Sequence, residues 1–311
     1  MSLNKVTNLE IEIFSKCNRK CSWCPNSVID RFSESINMEE KTYLNFLEEI
    51  SNKIKDKSKL KISYSRYNEP FFDIELLRKR VKQARNIFPN IILEANTNGD
   101  YLRKKGSEVL EDLPLDYINI MDYDCKGLQH GRDLFKKCDI KTIYDPEDVK
   151  DTTRWGKHTL IGKRKNIKKI DYIANWPKIK SIQDRGGFFR EKNTFKKVIS
   201  NYGNKGKKVK FKNQNNVIPK PGILTDNRRK EPCNYPTIGI YVDYNGSVTP
   251  CCHIRSDVSK HKDYILGNIN NDSITNIFNS KKAKEFRNLL NSNNWEEYPD
   301  PCKFCAKTSL K

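Results

Sequence analysis

No stretch of 18 consecutive apolar residues occurs in the 311-residue chain, which excludes a membrane-spanning helix. The N-terminus, MSLNKVTNLEIEIF, lacks a continuous apolar core and a small-residue cleavage site. No signal peptide is therefore expected, and a cytoplasmic location is. Histidine is scarce. His130, His158, His253 and His261 show no paired metal-ligand spacing, so each is expected to make an ordinary polar contact. Acidic residues are scarce in one quarter of the chain. Residues 154–230 hold 23 Lys and Arg against 4 Asp and Glu, and nearly all of the net charge of +20 sits there. Such a block fits either a solvated surface insertion or an electropositive wall for an anionic substrate or partner. Apolar residues are only 36%, yet 14 Phe, 14 Tyr and 4 Trp are enough to seed a core that a disordered chain would lack.

The first two-fifths of the chain alternates strand and helix patterns. Strands are predicted at Leu9–Phe14, Leu60–Tyr64, Ile91–Ala95, Tyr117–Met121 and Ile140–Tyr144, with a sixth at Ile179–Ile182. Helices are predicted at Met38–Ile54 with Asn37 as its N-cap, at Ile74–Ile87 ending before Pro89, and at Ser107–Leu113. Repeated βα units imply a parallel sheet, and six of them fit a partial (β/α)6 TIM-like barrel with its chemistry on the loops after the strands. Regularity fades between residues 145 and 232. From Cys233 a second unit begins: Ile238–Val242 and Ser247–Thr249 form a hairpin around an Asn-Gly turn, followed by a helix over Ser273–Asn291. The domain reading is an α/β barrel over 1–185, a basic connector over 186–232 and a small α+β domain over 233–311.

Cysteine, by contrast, is abundant. Ten residues in a chain read as cytoplasmic point to metal or redox chemistry rather than disulfides. Cys17-x3-Cys21-x2-Cys24 follows the first predicted strand. Three thiolates are one short of a closed tetrahedral site or a saturated cubane, so they leave one metal position for a ligand that is not protein. Cys233, Cys251, Cys302 and Cys305 form a second group that ends in a C-x2-C pair. Four thiolates close either a structural zinc site or an iron–sulfur cluster. Cys125, Cys138 and Cys252 are left over, and Cys252 is an alternative ligand beside Cys251.

The spacing C-x3-C-x-aromatic-C, with Trp23 as the aromatic, resembles the signature of the radical S-adenosylmethionine enzymes. The resemblance implies that Cys17, Cys21 and Cys24 hold three irons of a [4Fe-4S] cluster whose fourth iron chelates S-adenosylmethionine. Its reductive cleavage then yields a 5'-deoxyadenosyl radical, with the electron coming from a flavodoxin- or ferredoxin-type donor. Asn68-Glu69-Pro70 after the second strand resembles the family's segment for the methionyl ammonium, with Tyr67 and Asn68 replacing small residues. Thr97-Asn98-Gly99 resembles its turn after the third strand, and Asp122 or Asp124 takes the place of a ribose-binding acid. The stretch through Cys233-Asn-Tyr-Pro236, Pro250-Cys251-Cys252 and Leu266-Gly-Asn268 resembles the SPASM/Twitch auxiliary-cluster domain. The chain stops six residues after Cys305, which resembles the shorter Twitch version with one auxiliary [4Fe-4S] cluster.

Such domains imply a dehydrogenase that passes a substrate electron to the auxiliary cluster. The expected substrate is a small anionic molecule such as a nucleotide- or phospho-sugar. Cys125 is the candidate hydrogen donor, as a resemblance to radical epimerases implies. A second reading is a peptide maturase forming a crosslink or epimer, against which stands the lack of a leader-binding domain before Cys17. A third gives the basic block and its aromatics to nucleic acid, in a modifying enzyme or a zinc-stabilised binder.

Overall fold

Leu9 and Ile11 alternate with Asn8 and Glu10 in strand β1 (Asn8–Ile11), and the two apolar side chains are fully buried. The same period of two recurs in β2 (Lys61–Ser63), β3 (Ile92–Thr97) and β4 (Tyr117–Met121). The computed structural model describes residues 3–21, 24–27, 29–124, 126–146, 159–174, 229, 231–292, 294–303 and 305. Helix α1 (Glu40–Lys53) buries Tyr43, Phe46, Leu47 and Ile50. Helix α2 (Ile74–Ile87) buries Leu77, Val81 and Ala84 and is capped by Asp73, whose carboxylate accepts from the Leu76 N–H. Helices α3 (Asp100–Lys105) and α4 (Gly127–Lys137) follow β3 and β4.

Six further strands follow: β5 (Lys141–Tyr144), β6 (Thr159–Arg164) and β7 (Ile167–Ile173) lie before the cysteine-rich segment, and β8 (Gly239–Val242), β9 (Ser247–Thr249) and β10 (Gly267–Asn268) within it. All ten pair into one open sheet in the order β10-β9-β8-β1-β2-β3-β4-β7-β6-β5. The six central strands, β8-β1-β2-β3-β4-β7, are parallel. Each edge is finished by antiparallel pairing. One hydrophobic core runs from Leu9 and Ile62 through Ile118 and Ile170 to Val242, Val248 and Phe278. The opposite face is polar and carries Glu10, Lys61, Ser63, Glu94, Asn96, Asn119, Lys169 and Asp171. Lys61 pairs with Glu94 at 3.0 Å, Lys169 pairs with Asp171 at 2.7 Å, and Asn119 donates to Asn96 at 2.8 Å. Such a sheet, helix-covered on one side and polar on the other, is the wall of an incomplete barrel.

Several expectations need correcting. Ile140–Tyr144 does hold a strand, but β5 is an edge strand antiparallel to β6, and its side chains are largely exposed. The parallel neighbour of β4 is β7, which the sequence reading placed in an irregular stretch. Its hairpin with β6 turns at Lys165-Asn166, with Lys165 at φ +44°, and carries none of the usual Gly signals. Asn37 does not cap α1. It pairs with Phe14 while the Met38 N–H donates to Ile13, and this extended pairing delays the helix to Glu40. The segment at 107–113 is a 3-10 turn (Gly106–Leu110) after α3, because Gly106 takes φ +72° and ends the helix. The single helix expected over Ser273–Asn291 is two, α6 (Ile274–Asn279) and α7 (Lys281–Asn291), after the short α5 (Tyr235–Ile238). Ser280 caps the second by accepting from the Ala283 N–H, which breaks the run. The expected strand at Ile179–Ile182 lies outside the described residues, as does nearly all of the basic connector. The hairpin of β8 and β9 is as expected, with Gly246 at φ +83° in its turn.

Candidate active site

The loops after β1, β2, β3 and β4 meet at one end of the parallel sheet and enclose a cavity of about 300 Å³. Cys17, Cys21 and Cys24 line it, together with Asn68, Glu69, Thr97 and Asn98. These residues come from three separate loops of the sequence. Trp23, the aromatic of the cysteine motif, and Cys125 lie outside the described residues. Pro70 and Gly99 stand beside lining residues. Gly99 takes φ +74°, and a Cβ there would approach Ile120 Cγ2 to 2.8 Å.

Glu69 joins these loops. Its Oε1 accepts from the Thr97 hydroxyl at 2.6 Å and the Phe71 N–H at 3.1 Å, and its Oε2 from the Asn98 N–H at 2.8 Å. Its own N–H donates to Lys16 beside the first cysteine. Burial pushes the carboxyl up to about 7 against the pull of these three donors. Asn98 donates from its side chain to Asn18 at 2.8 Å, and Asn68 holds the Arg66 N–H at 3.2 Å. Asp122 is buried and accepts from the Gly127 N–H at 2.9 Å at the start of α4. It is not among the cavity's lining residues. Asp124 instead meets Arg19.

Arg19, between the first two cysteines, is the pin of the loop. It donates to both Asp100 oxygens from Nε and Nη2, and to Asp124 from Nη1 at 2.8 Å and Nη2 at 3.0 Å. A second clamp fastens the loop to the C-terminal segment. The Arg31 carbonyl accepts from the Cys17 N–H at 2.8 Å. The Arg31 side chain donates to Glu12 at 3.0 Å and to Asp257 at 2.7 Å. Asp257 also takes two donors of Arg255, whose Nη1 reaches Asn26 at 2.9 Å. Burial opposes the charge of Asp257, but Arg255 and Arg31 outweigh it and hold the carboxyl far below its usual range. An Asp257→Asn variant leaves two nearly buried guanidinium groups short of an anion, and is expected to lose about 3 kcal/mol of stability. The urea-unfolding midpoint reads this against the exposed Asp263→Asn as control. Equal midpoints for the two variants would show that the clamp contributes nothing.

The four C-terminal thiols cluster around an aromatic patch. Cys233 and Cys302 are buried with Tyr235, Tyr241 and Tyr298, and Cys251 and Cys252 pack against them. Cys305 sits in the short segment after α8 (Asp300–Lys303), with its Sγ 3.7 Å from His253 Nδ1. Cys252 and His253 themselves line the cavity that holds the first three cysteines. Cys138 is buried elsewhere, with its thiol directed at the Leu102 carbonyl.

Both thiol sets suit a metal cluster by their donor chemistry. Among the described residues no three His, Cys, Asp or Glu side chains already converge as a ready single-ion site. Burial pushes the Cys17 thiol up to about 12, with Glu69 and then Cys24 adding to it. Burial likewise raises the Cys21 thiol, with the neighbouring Cys24 and then Cys17 adding to it. In the second set, burial raises Cys251 and Cys302 well above the ordinary value, and neighbouring thiols of the set add to it. Burial therefore disfavours the thiolate at Cys17, Cys21, Cys251 and Cys302, and a positively charged metal core is what makes buried thiols into ligands. The sequence reading missed Arg19, Arg66 and Glu10 as parts of this site, because no motif marks them. His253 was read as near a site, with an ordinary polar contact expected of it, and it lines the cavity.

Comparison with known proteins adds four findings. Residues 233–306 match the SPASM iron-sulfur cluster-binding domain. The S-adenosyl-L-methionine-dependent 2-deoxy-scyllo-inosamine dehydrogenase of Niallia circulans is 23% identical over 97% of this chain and 94% of its own length. The crystal structure of BtrN in complex with AdoMet and 2-DOIA superposes with a TM-score of 0.62 at 21% identity, covering 98% of this chain and 94% of that one. The structure of selenomethionine BtrN in an open conformation gives 0.53 at 18% identity, over 97% and 92% of the two chains. The likeness to both structures is one of fold.

Proposed function

We propose that this chain, a radical S-adenosylmethionine enzyme with a C-terminal SPASM domain, is an oxidoreductase that removes two hydrogens from a small hydroxyl-bearing molecule. The observation that carries this reading is the shared cavity: Cys17, Cys21 and Cys24 line it, and so do Cys252 and His253, neighbours of the second thiol set. Cys17, Cys21 and Cys24 would hold one [4Fe-4S] cluster with an open iron for S-adenosylmethionine, and Cys233, Cys251, Cys302 and Cys305 a second, Twitch-type cluster. When bound, these groups supply a hydrogen-abstracting radical and an acceptor for the substrate's remaining electron.

The chain's own residues do the positioning. Glu69 holds the loops after β2 and β3 together, which sets the lip formed by Asn68, Pro70, Thr97, Asn98 and Gly99 against the cofactor's methionyl end. Asp122 orders the start of α4 on the side assigned to the ribose. Arg19 and the Arg31–Asp257–Arg255 clamp keep the first cysteine loop in register with the second thiol set. The electron donor would be of the flavodoxin or ferredoxin type.

The curated dehydrogenase relative supplies the first substrate to try. Incubated anaerobically with a reductant, S-adenosylmethionine and 2-deoxy-scyllo-inosamine, the reconstituted protein is expected to form 5'-deoxyadenosine and a product two mass units lighter in equal amounts. Formation of 5'-deoxyadenosine with no dehydrogenated product across a set of amino-polyols would sink the dehydrogenase reading and leave the peptide alternative.

A further inference from the structure

His253 touches both halves of the site. It lines the cavity of Cys17, Cys21 and Cys24, and its Nδ1 lies 3.7 Å from the Sγ of Cys305, within hydrogen-bond reach of the larger sulfur atom. The residue is buried. Both partners are held by their backbones. The Cys251 carbonyl accepts from the Thr249 hydroxyl at 3.1 Å, and the Ile254 carbonyl from Arg66 Nη2 at 2.8 Å, so the turn that carries His253 is fastened on each side. Arg66 is itself fully buried against Asp243. Across the contact, the Cys305 carbonyl accepts from Arg229 Nη1 at 3.3 Å, and the Cys305 N–H donates to the Cys302 carbonyl at 3.1 Å. The fold thus sets the imidazole against the thiol. Chemistry decides which way the bond runs. A neutral thiol and a neutral imidazole can share one proton in either direction. A metal-bound thiolate has no proton to give and only accepts, so Nδ1 must then carry it.

We propose that His253 donates from Nδ1 to the sulfur of Cys305 and thereby raises the reduction potential of the [4Fe-4S] cluster that the second thiol set would hold. This rests on the proposed reading in which Cys305 is one of that cluster's four ligands. A reduced cluster carries one more negative charge than an oxidised one, so a donor aimed at a ligand sulfur stabilises the reduced form more. Burial strengthens the effect, because little water competes for the bond or screens it. His253 acts through Cys305 and not on the substrate. It is a positioning residue, and its consequence is a better acceptor for the substrate's remaining electron. The cysteine spacing marks the ligands of the second set, but no motif marks this donor, which stands 52 positions from Cys305 in the chain.

The test is a reductive titration of the full-length reconstituted protein, with the clusters followed by electron paramagnetic resonance. The Cys17→Ala/Cys21→Ala/Cys24→Ala variant identifies the signal of the second cluster. His253→Phe keeps an aromatic ring and removes the donor, whereas His253→Asn returns an N–H near the place of Nδ1. His253→Phe is expected to make reduction of the second cluster about tenfold less favourable, a fall of about 59 mV for one electron, and His253→Asn to recover most of that. Iron is expected to stay at about eight per chain in both variants. A second-cluster potential in His253→Phe equal to or above that of the wild type would overturn the inference and leave the two-cluster reading standing. So would an equal fall in both variants, which would assign the effect to packing and not to the N–H. Loss of iron in either variant would make His253 a residue of cluster assembly and overturn the inference as well. A wild type without a second cluster would overturn the reading and the inference together.

Discussion

Replacing Cys17, Cys21 and Cys24 together by alanine is expected to abolish 5'-deoxyadenosine formation and to lower iron from about eight to about four per chain after anaerobic reconstitution. The expectation follows from how the thiols are divided. The three share a cavity wall with Glu69 and Asn98, whereas Cys233, Cys251 and Cys302 pack in a separate aromatic cluster around Tyr235, Tyr241 and Tyr298, and Cys305 lies against His253. Removing one set should therefore leave the other assembled. The loop itself is held by Arg19 and by the Cys17 N–H bond to Arg31, none of which needs the thiols, so the fold should survive. The rate loss should exceed about 1000-fold, because no other group in the cavity can generate the hydrogen abstractor. Iron that stays at eight, or a wild type holding about one zinc and little iron, would overturn the assignment.

The double variant Cys302→Ala/Cys305→Ala is expected to separate the two halves of the reaction. Cleavage of S-adenosylmethionine should continue within a few-fold of wild type, while formation of the dehydrogenated product falls by about 100-fold or more. Cys302 is buried against the tyrosine patch, and Cys305 lies 3.7 Å from His253, which reaches the cavity. Without these ligands a substrate that has lost one hydrogen atom has no nearby acceptor for its electron. It should then recover a hydrogen or leave unreacted. Unchanged product formation would make the second thiol set purely structural.

Much of the candidate site was legible in the sequence because its cysteines are grouped by spacing. Three cysteines within eight residues, and a C-x2-C pair late in the chain, identify themselves. So do strands such as Tyr117–Met121 and helices such as Ile74–Ile87, where apolar period and capping residues agree. The hairpin of β6 and β7 was not legible. Its turn, Lys165-Asn166, lacks glycine, and its lysine-rich alternation reads as solvated coil until β4 is seen beside it. The exposed β5 shows why a strand pattern cannot state its own direction, since the same alternation serves a parallel neighbour or an antiparallel edge.

By itself, the sequence determined the two groups of cysteines, the class of chemistry they point to and the alternation that builds a parallel sheet, because these depend on residue type and local spacing. Only the tertiary structure decided that β8 of the cysteine-rich segment joins β1 in the same sheet, which brings Cys252 and His253 to the cavity of Cys17, Cys21 and Cys24. It alone decided that Glu69 bridges two loops, that Asp257 clamps Arg31 and Arg255, and that Arg66 keeps two buried donors without partners. Those facts depend on contacts between residues as far apart along the chain as Asn8 and Gly239, a separation at which no local pattern carries information.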